Sequence, residues 1–191
     1  MFKENSNLSS IRKGQIEVIC GSMFSGKTEE LIRRLKRAKF AKLKIKTFNP
    51  HVDNRYGKSK LISHNSTEIK SLTIKKSHEI LDLYDNVDIV GIDEAQFLDD
   101  ELPNICNALA DRGVRVIVAG LDMDYLGKPF GVIPKIMAIA EFVTKVHAVC
   151  VGCGDIALNS HRTSLSKNLV EIGSEKNYQA LCRMCFIKKN K

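Results

Sequence analysis

A glycine-bearing loop between an apolar segment and an amphipathic segment constrains the fold more than any other feature. It comprises Gly21, Ser22, Met23, Phe24, Ser25, Gly26, Lys27 and Thr28, and it fits the pattern G-x-x-x-x-G-K-[ST]. The preceding run Ile16–Cys20 is short, apolar and rich in β-branched residues, which predicts a buried strand. In Thr28–Lys42 apolar residues recur at helical spacing among basic ones, which predicts a helix. A strand, this loop and a helix in that order are typical of a phosphate-binding loop.

The residue types in this loop match the chemistry of a nucleoside triphosphate. Gly21 and Gly26 allow a tight turn whose backbone N–H groups converge on phosphate oxygens. The N-terminus of the following helix adds positive potential. Lys27 supplies a cation for the β- and γ-phosphates, and the Thr28 hydroxyl is a ligand for Mg²⁺. The loop therefore predicts binding of Mg·ATP.

Two acidic residues follow a second apolar strand, predicted over Val87–Ile92. Ligands gather at the carboxyl ends of strands in open α/β sheets, so Asp93 is expected beside Thr28, holding Mg²⁺ directly or through water. Glu94 is a candidate general base that takes a proton from an attacking oxygen. The attacker is either water, which makes an ATPase, or a substrate hydroxyl, which makes a kinase. The acidic pair alone leaves both open.

Four cysteines form two Cys-x-x-Cys pairs, Cys150 with Cys153 and Cys182 with Cys185, separated by 28 residues. Four thiolates in this pattern predict a structural, tetrahedral Zn²⁺ site that stabilises a segment too small for its own core. A redox Cys-x-x-Cys is the alternative. The intervening segment lacks the interleaved aromatic and basic residues typical of nucleic-acid binding, so no nucleic-acid partner is expected.

The remaining apolar segments complete an alternating pattern of strands and helices. Strands are predicted at Lys44–Phe48 and Arg115–Ala119, with weaker candidates at Leu61–Ser63 and Ile69–Thr73. Helices are predicted from an N-cap at Ser77 to Tyr84, over Glu101–Arg112 with its end at Gly113, and over Ile133–Phe142. Continuous apolar strands alternating with helices predict an α/β fold with a mainly parallel sheet covered on both faces.

After about residue 146 the pattern changes to short strands, polar turns and cysteine pairs. We therefore predict a flexible N-terminus over residues 1–13, a P-loop α/β nucleotide-binding domain over 14–146, and a small zinc-binding domain over 147–191. A chain of 191 residues is long enough for one full domain and a small appendage of this kind.

Composition and charge limit the compartment and the partners. No run approaches the roughly 18 apolar residues of a membrane span, and the first residues lack the apolar core of a secretory signal. A cytoplasmic location and no membrane partner are expected, and in that compartment the six cysteines should not form disulfides. The net charge of +8 favours an anionic partner, which a nucleotide satisfies, although the basic residues at 33–46 also fit a solvated helix face.

From Gly14 to Phe186 the chain resembles the zinc-containing, human cytosolic-type (type II) thymidine kinases. Four blocks carry the resemblance in order: GSMFSGKT at 21–28, DEAQF at 93–97, KPFG at 128–131 and the paired cysteines. The first and last are shared with many other proteins. DEAQF directly after an apolar strand, followed by LDMDYLGKPFG, is much more specific.

The resemblance implies a RecA-like domain with a small zinc-ribbon-like domain, a homotetramer, transfer of the ATP γ-phosphate to thymidine, and feedback inhibition by dTTP. It implies that Glu94 is the base for the 5′-hydroxyl, and that Arg55 offsets transition-state charge on the phosphate side. The strand at Leu169–Gly173 is expected to form a lasso-like loop whose backbone binds the base. The residues expected to enclose the thymine and sugar are Met23, Phe97, Leu121, Tyr125, Phe130 and Tyr178.

Two other classes of protein share parts of this pattern. A nucleic-acid motor has a similar acidic motif, but it normally needs a second RecA-like domain, for which 191 residues leave no room. A zinc-stabilised nucleotide-binding regulator fits the composition but has no clear use for Glu94.

Overall fold

The computed structural model describes residues 14–51, 60–62, 68–164 and 177–190. The strands are β1 (Gln15–Cys20), β2 (Ile45–Pro50), β3 (Lys60–Ile62), β4 (Glu68–Lys70), β5 (Leu72–Ile74), β6 (Ile89–Ile92), β7 (Arg115–Gly120), β8 (Phe142–Lys145), β9 (Ala148–Val149), β10 (Ile156–Ala157), β11 (Asn159–Arg162) and β12 (Tyr178–Leu181). The helices are α1 (Lys27–Phe40), α2 (Glu79–Leu83), α3 (Leu102–Asp111), α4 (Ile133–Ile139) and α5 (Arg183–Lys189), with a 3₁₀ turn at Ala95–Phe97. The predicted N-terminal segment 1–13 lies outside the described residues.

Six strands form one parallel sheet in the order β5-β2-β6-β7-β1-β8. The predicted α/β fold with its parallel sheet, interpreted as RecA-like, is therefore confirmed. Only β7 separates β1, which leads into the phosphate loop, from β6, which leads into the acidic pair. Because all six strands run the same way, the loops after β1, β6 and β7 meet at one edge of the sheet.

Alternating side chains of the central strands supply two apolar cores, one on each face of the sheet. Val116 and Val118 of β7 face the core that contains α3 and α4. Ile117 and Ala119 face the core that contains α1, where Leu31 and Leu35 are fully buried. Helices therefore cover both faces, which is why these strands are apolar along most of their length.

Helix α1 begins where the backbone of Gly26 takes a left-handed conformation with φ of +81°. Its first turn carries Glu29 and Glu30 and its last turn carries Arg37 and Lys39, so each end is matched to the helix dipole. Within the ranges described above, no helix combines the length and apolar character needed to cross a bilayer.

In the segment after β7, one predicted helix end was wrong. The helix expected over Ile133–Phe142 ends at Ile139, and Phe142 instead begins β8, which pairs with β1 at the sheet edge. Ala140 is extended, and the Glu141 carboxylate accepts a hydrogen bond of 2.6 Å from the backbone N–H of Ile16. A short apolar run does not by itself distinguish a helix from a strand, and pairing with β1 decided between them.

Smaller differences concern element boundaries. Ser77 is not the N-cap of α2, which begins at Glu79 after His78 and has no side-chain cap. The weak strand predicted at Ile69–Thr73 is divided between β4 and β5, because β5 joins the main sheet whereas β4 pairs with β3. Gly113, with φ of +84°, ends α3 as predicted.

Candidate active site and candidate metal centre

The phosphate loop lies at the carboxyl edge of the sheet and requires its first glycine for space. A Cβ atom on Gly21, whose φ is +150°, would lie 2.2 Å from the backbone oxygen of Val146. The Ser25 hydroxyl donates to the Ser22 carbonyl over 2.7 Å, and the Lys27 ammonium donates to the same carbonyl over 2.7 Å. The loop therefore folds back on itself and brings its lysine to its inner side.

The loop and the acidic pair meet as the sequence predicted. The Thr28 hydroxyl donates a hydrogen bond of 2.9 Å to Oδ2 of Asp93, which is buried. Burial, and then the charge of Glu94, raise the pKa of Asp93 to about 7, against the opposing hydrogen bond from Thr28. A hydroxyl and a carboxylate in contact are hard oxygen donors of the kind that Mg²⁺ prefers. A cation held there would favour the charged carboxylate.

Glu94 lies beside this pair in a left-handed backbone conformation with φ of +49°. Oε2 of Glu94 accepts a hydrogen bond of 2.5 Å from the amide nitrogen of Gln96. The amide oxygen of Gln96 accepts in turn from the backbone N–H of Leu121 over 3.0 Å. Gln96 is buried and thus links the candidate base to the chain that follows β7.

The close packing around Gln96 depends on two glycines. A Cβ on Gly120 would lie 2.7 Å from the Gln96 amide oxygen, and one on Gly131 would lie 2.4 Å from its backbone oxygen. Sequence reasoning quoted Gln96 within DEAQF but gave it no role. The sequence feature that could have indicated a role for Gln96 is its position two residues after the candidate base Glu94.

The six residues expected around thymidine fall into contacting groups. Leu121, Tyr125 and Phe130 lie on one hairpin-like segment, in which Met123 bridges Pro129 and the Phe130 N–H donates to the Asp122 carbonyl. The Phe97 and Phe130 rings meet edge to face, with centroids 6.0 Å apart.

The other two expected residues contact β11. The Met23 N–H donates to the Ser160 hydroxyl over 2.9 Å, and the Tyr178 hydroxyl accepts from the Arg162 guanidinium. The Arg162 guanidinium also stacks on the Tyr125 ring, 3.8 Å from its centroid. Sequence reasoning missed Arg162, because nothing in the local pattern of β11 indicates a buried arginine between two aromatic rings.

Two predicted features cannot be placed. Arg55 and the Leu169–Gly173 strand lie outside the described residues, so their roles remain predictions.

The four paired cysteines form a compact thiol cluster whose sulfur atoms all lie within 4.8 Å of one another. The Sγ atoms of Cys153 and Cys182 are 3.6 Å apart, and all four thiols are free. Four sulfurs at tetrahedral corners around a zinc ion, with Zn–S bonds of about 2.3 Å, lie about 3.8 Å from one another. The cluster therefore has the donor set and spacing to hold a metal ion.

The local backbone favours this arrangement. Cys182 caps the N-terminus of α5, where its sulfur accepts from the Cys185 N–H. A backbone hydrogen bond from Cys182 is the main cause that lowers the pKa of Cys150 to about 6, whereas hydrogen bonding to Cys182 raises the pKa of Cys185 to about 12. A metal ion would hold all four as thiolates.

The chain is similar in sequence to known proteins over nearly its whole length. Residues 14–186 match the family model described as "Thymidine kinase". A thymidine kinase of Bacteroides thetaiotaomicron is 52% identical over 188 residues, covering 98% of this chain and 94% of the relative. A thymidine kinase of a Rhodothermus species is 49% identical over 173 residues, covering 91% of this chain and 81% of the relative. The flagellar accessory protein FlaH of Methanocaldococcus jannaschii is a distant structural neighbour, with 13% identity, a TM-score of 0.49 and 76% of each chain covered. On the family match and these relatives, the chain belongs to the thymidine kinase family.

Proposed function

We propose that the protein transfers the γ-phosphate of Mg·ATP to the 5′-hydroxyl of thymidine, forming dTMP and ADP. The observation that carries this proposal is the contact of Thr28 with Asp93, which brings the phosphate loop to the strand end that bears Glu94. Family membership supports a nucleoside hydroxyl, rather than water, as the attacking group. It equally favours a kinase over a nucleic-acid motor or a regulator without catalysis.

On the phosphate side, the loop amides and Lys27 bind the β- and γ-phosphates. Thr28 and Asp93 would hold Mg²⁺, which neutralises charge on the phosphate oxygens as the bond to γ-phosphorus breaks. Their hydroxyl and carboxylate oxygens fit that ion. Arg55 is proposed to offset the same charge.

On the nucleoside side, Glu94 accepts the proton of the 5′-hydroxyl. The hydroxyl oxygen then bonds to the γ-phosphorus, and the bond from that phosphorus to the bridging oxygen of ADP breaks. Gln96 donates a hydrogen bond to Oε2 of Glu94 and so orients the carboxylate that accepts this proton. The turn that holds Glu94 therefore supports its role as a positioned base.

Aromatic side chains enclose the thymine and sugar in this proposal. The edge-to-face pair of Phe97 and Phe130 and the stacked Tyr125 supply flat apolar surface of the kind that binds a planar ring. Leu121, Met23 and Tyr178 complete the set, and the segment Leu169–Gly173 reads the base through its backbone.

The metal in the cysteine cluster is proposed to be structural Zn²⁺. All four donors are sulfur, and no fourth position is left for water, which favours a closed site over a catalytic one. The cluster stabilises the segment 147–191, proposed as a small second domain after the α/β domain of 14–146.

The remaining proposals rest on the family. They are assembly as a homotetramer, feedback inhibition by dTTP, and a cytoplasmic location, which the free thiols of all six cysteines support.

A panel of nucleosides assayed for ATP-dependent phosphorylation tests the proposal. We expect ATP consumption to require thymidine and to yield dTMP one for one. Glu94→Gln should lower kcat by about a hundredfold or more while leaving nucleotide binding intact, because it removes the base and keeps the shape. ATP turnover that is stimulated by DNA or RNA and indifferent to nucleosides would show that the kinase assignment is wrong.

A further inference from the structure

Arg162 is a buried cation held between two aromatic side chains of the proposed nucleoside site. Its guanidinium carbon lies 3.8 Å from the Tyr125 ring centroid and 5.4 Å from that of Tyr178. Nε and Nη2 donate hydrogen bonds of 3.1 and 2.8 Å to the Tyr178 hydroxyl oxygen. Both Arg162 and Tyr178 are 7% exposed, so water weakens these contacts little.

Arg162 and Tyr178 lie opposite each other at the end of the antiparallel pair that β11 and β12 form. Arg162 is the last residue of β11, Tyr178 is the first of β12, and the two are paired in the antiparallel register. The next rung is closed by a hydrogen bond of 2.9 Å from the Thr163 N–H to the Asn177 carbonyl. The link from Arg162 to Tyr178 therefore holds the base of the connection between β11 and β12.

The third partner comes from a distant part of the chain. Tyr125 lies on the segment that follows β7, which also carries Phe130. Two residues before Arg162 on β11, the Ser160 hydroxyl accepts from the N–H of Met23 in the phosphate loop. One short strand thus contacts Met23, Tyr125 and Tyr178, which are three residues of the proposed nucleoside site.

We propose that Arg162 is a positioning residue for the nucleoside, which orients the Tyr125 ring and the Tyr178 phenol without touching the reacting atoms. This inference rests on the proposed function. Only arginine combines a flat face that stacks on one ring with an edge that donates two hydrogen bonds to another. Because the Tyr178 oxygen accepts from Arg162, its own hydrogen points away from the guanidinium, which sets the direction in which the phenol donates.

Arg162→Lys tests the proposal, since lysine keeps the charge but can neither stack as a plane nor donate as a fork. We expect the KM for thymidine to rise roughly ten- to a hundredfold, because a displacement of about 1 Å in a binding group has effects of this size. The KM for ATP should change by less than about twofold, since the phosphate loop keeps its own contacts. Thermal unfolding and metal content are measured on the same samples to identify variants that fail to fold.

Tyr178→Phe is a second variant that breaks the same contact and leaves the buried Arg162 guanidinium in place. It removes the oxygen that accepts from Arg162 and should raise the thymidine KM in the same direction by a smaller factor. Combining it with Arg162→Lys should add little, because both changes break the same contact. Gln179→Ala is the matched control on β12: its half-buried side chain accepts a hydrogen bond from Lys189, and both KM values should stay unchanged.

The outcomes separate this inference from the function on which it rests. If the unaltered protein does not phosphorylate thymidine, the proposed function is wrong. If it does, and folded Arg162→Lys and Tyr178→Phe both keep the original thymidine KM, Arg162 has no positioning role. An equal rise in both KM values would indicate general loosening of the fold and would also overturn the inference.

Discussion

At the scale of single residues, Glu94 has a strained backbone conformation that fixes where its carboxylate lies. A φ of +49° is uncommon for a residue with a side chain, and it is retained only where the surroundings determine it. Here the Glu94 N–H donates to Asp93 Oδ1 over 3.0 Å, and the Glu94 carbonyl accepts from the Phe97 N–H. The resulting turn points the Asp93 carboxylate toward Thr28 and the Glu94 carboxylate toward Gln96.

The variant Gln96→Glu tests how Glu94 is held. The change keeps the volume of the side chain but places a carboxylate oxygen against Oε2 of Glu94 in place of an N–H donor. Two carboxylates in contact tend to share a proton, so Glu94 accepts one less readily. We expect kcat near neutral pH to fall about tenfold or more, with partial recovery as the pH rises and little change in the ATP KM.

The control is the same substitution in a Glu94→Gln background, where there is no base left to perturb. There Gln96→Glu should cause no further loss of kcat. An additional loss of the same size in that background would mean that Gln96 acts on something other than Glu94.

At the scale of elements, a buried ion cluster joins α1 to the sheet. Glu17 of β1 accepts hydrogen bonds from Arg34 of α1 over 2.7 Å and from Arg115 of β7 over 2.6 Å. Arg34 also reaches the Thr144 hydroxyl on β8 over 2.9 Å. Burial alone would raise the pKa of Glu17, but the hydrogen bonds and charges of Arg115 and Arg34 outweigh it and lower that pKa.

Glu17→Gln should destabilise the protein, because it removes the charge of the fully buried carboxylate that Arg34 and Arg115 share. We expect the free energy of unfolding at neutral pH to fall by about 3–5 kcal/mol in denaturant titrations. The matched control is Glu30→Gln, which loses contacts with Arg33 and Arg34 nearer the surface and should cost about 1 kcal/mol or less.

The difference between Glu17→Gln and the original protein should depend on pH. Since the folded state lowers the pKa of Glu17 below its ordinary 4.5, the carboxylate stabilises the fold above that value. The stabilisation is lost as the pH falls through the lower, folded pKa, so the two proteins should converge in stability in acid. A gap that stays constant into acid would show that the charge of Glu17 is not what stabilises the fold.

At the scale of the whole molecule, the phosphate loop packs on the segment that carries the cysteines. Phe24 packs against a small apolar cluster that contains Ala157, Leu181 and the buried thiols Cys150 and Cys182. The hydroxyl of Ser22 and the N–H of Met23 donate to the same segment, at Ala157 and Ser160. The thiol cluster and the phosphate loop therefore share one packed surface across the predicted domain boundary.

Cys153→Ser tests this connection, because Cys153 is exposed and its replacement removes one of the four proposed metal ligands without opening a cavity. We expect the protein to lose about one zinc per chain and to unfold at a lower temperature, since metal binding is coupled to folding. The KM for ATP should rise roughly three- to tenfold through the loosened contact with Phe24. Met184→Ser, an exposed neighbour in α5, is the control. Loss of zinc with an unchanged ATP KM would show that the packing does not affect the loop.

Local patterns predicted much of the candidate site because its chemistry is local in sequence. The phosphate loop, the acidic pair and each cysteine pair are short runs whose geometry follows from the strand or helix that carries them. The meeting of the phosphate loop and the acidic pair at one sheet edge also follows from parallel strands. Gln96 and Arg162 were missed because their roles depend on partners elsewhere in the chain, Leu121 and Tyr125, which no local pattern indicates.

The sequence by itself therefore determined the parallel α/β fold, the contact of Thr28 with Asp93, and the donor set of the thiol cluster. Only the tertiary structure decided that Phe142 begins an edge strand, that Arg162 lies between two tyrosines, and that the phosphate loop packs on the cysteine-bearing segment. The physical reason is the range of the interactions. Periodicity and backbone chemistry act over a few residues, whereas strand pairing, stacking and shared cores join residues far apart in the chain.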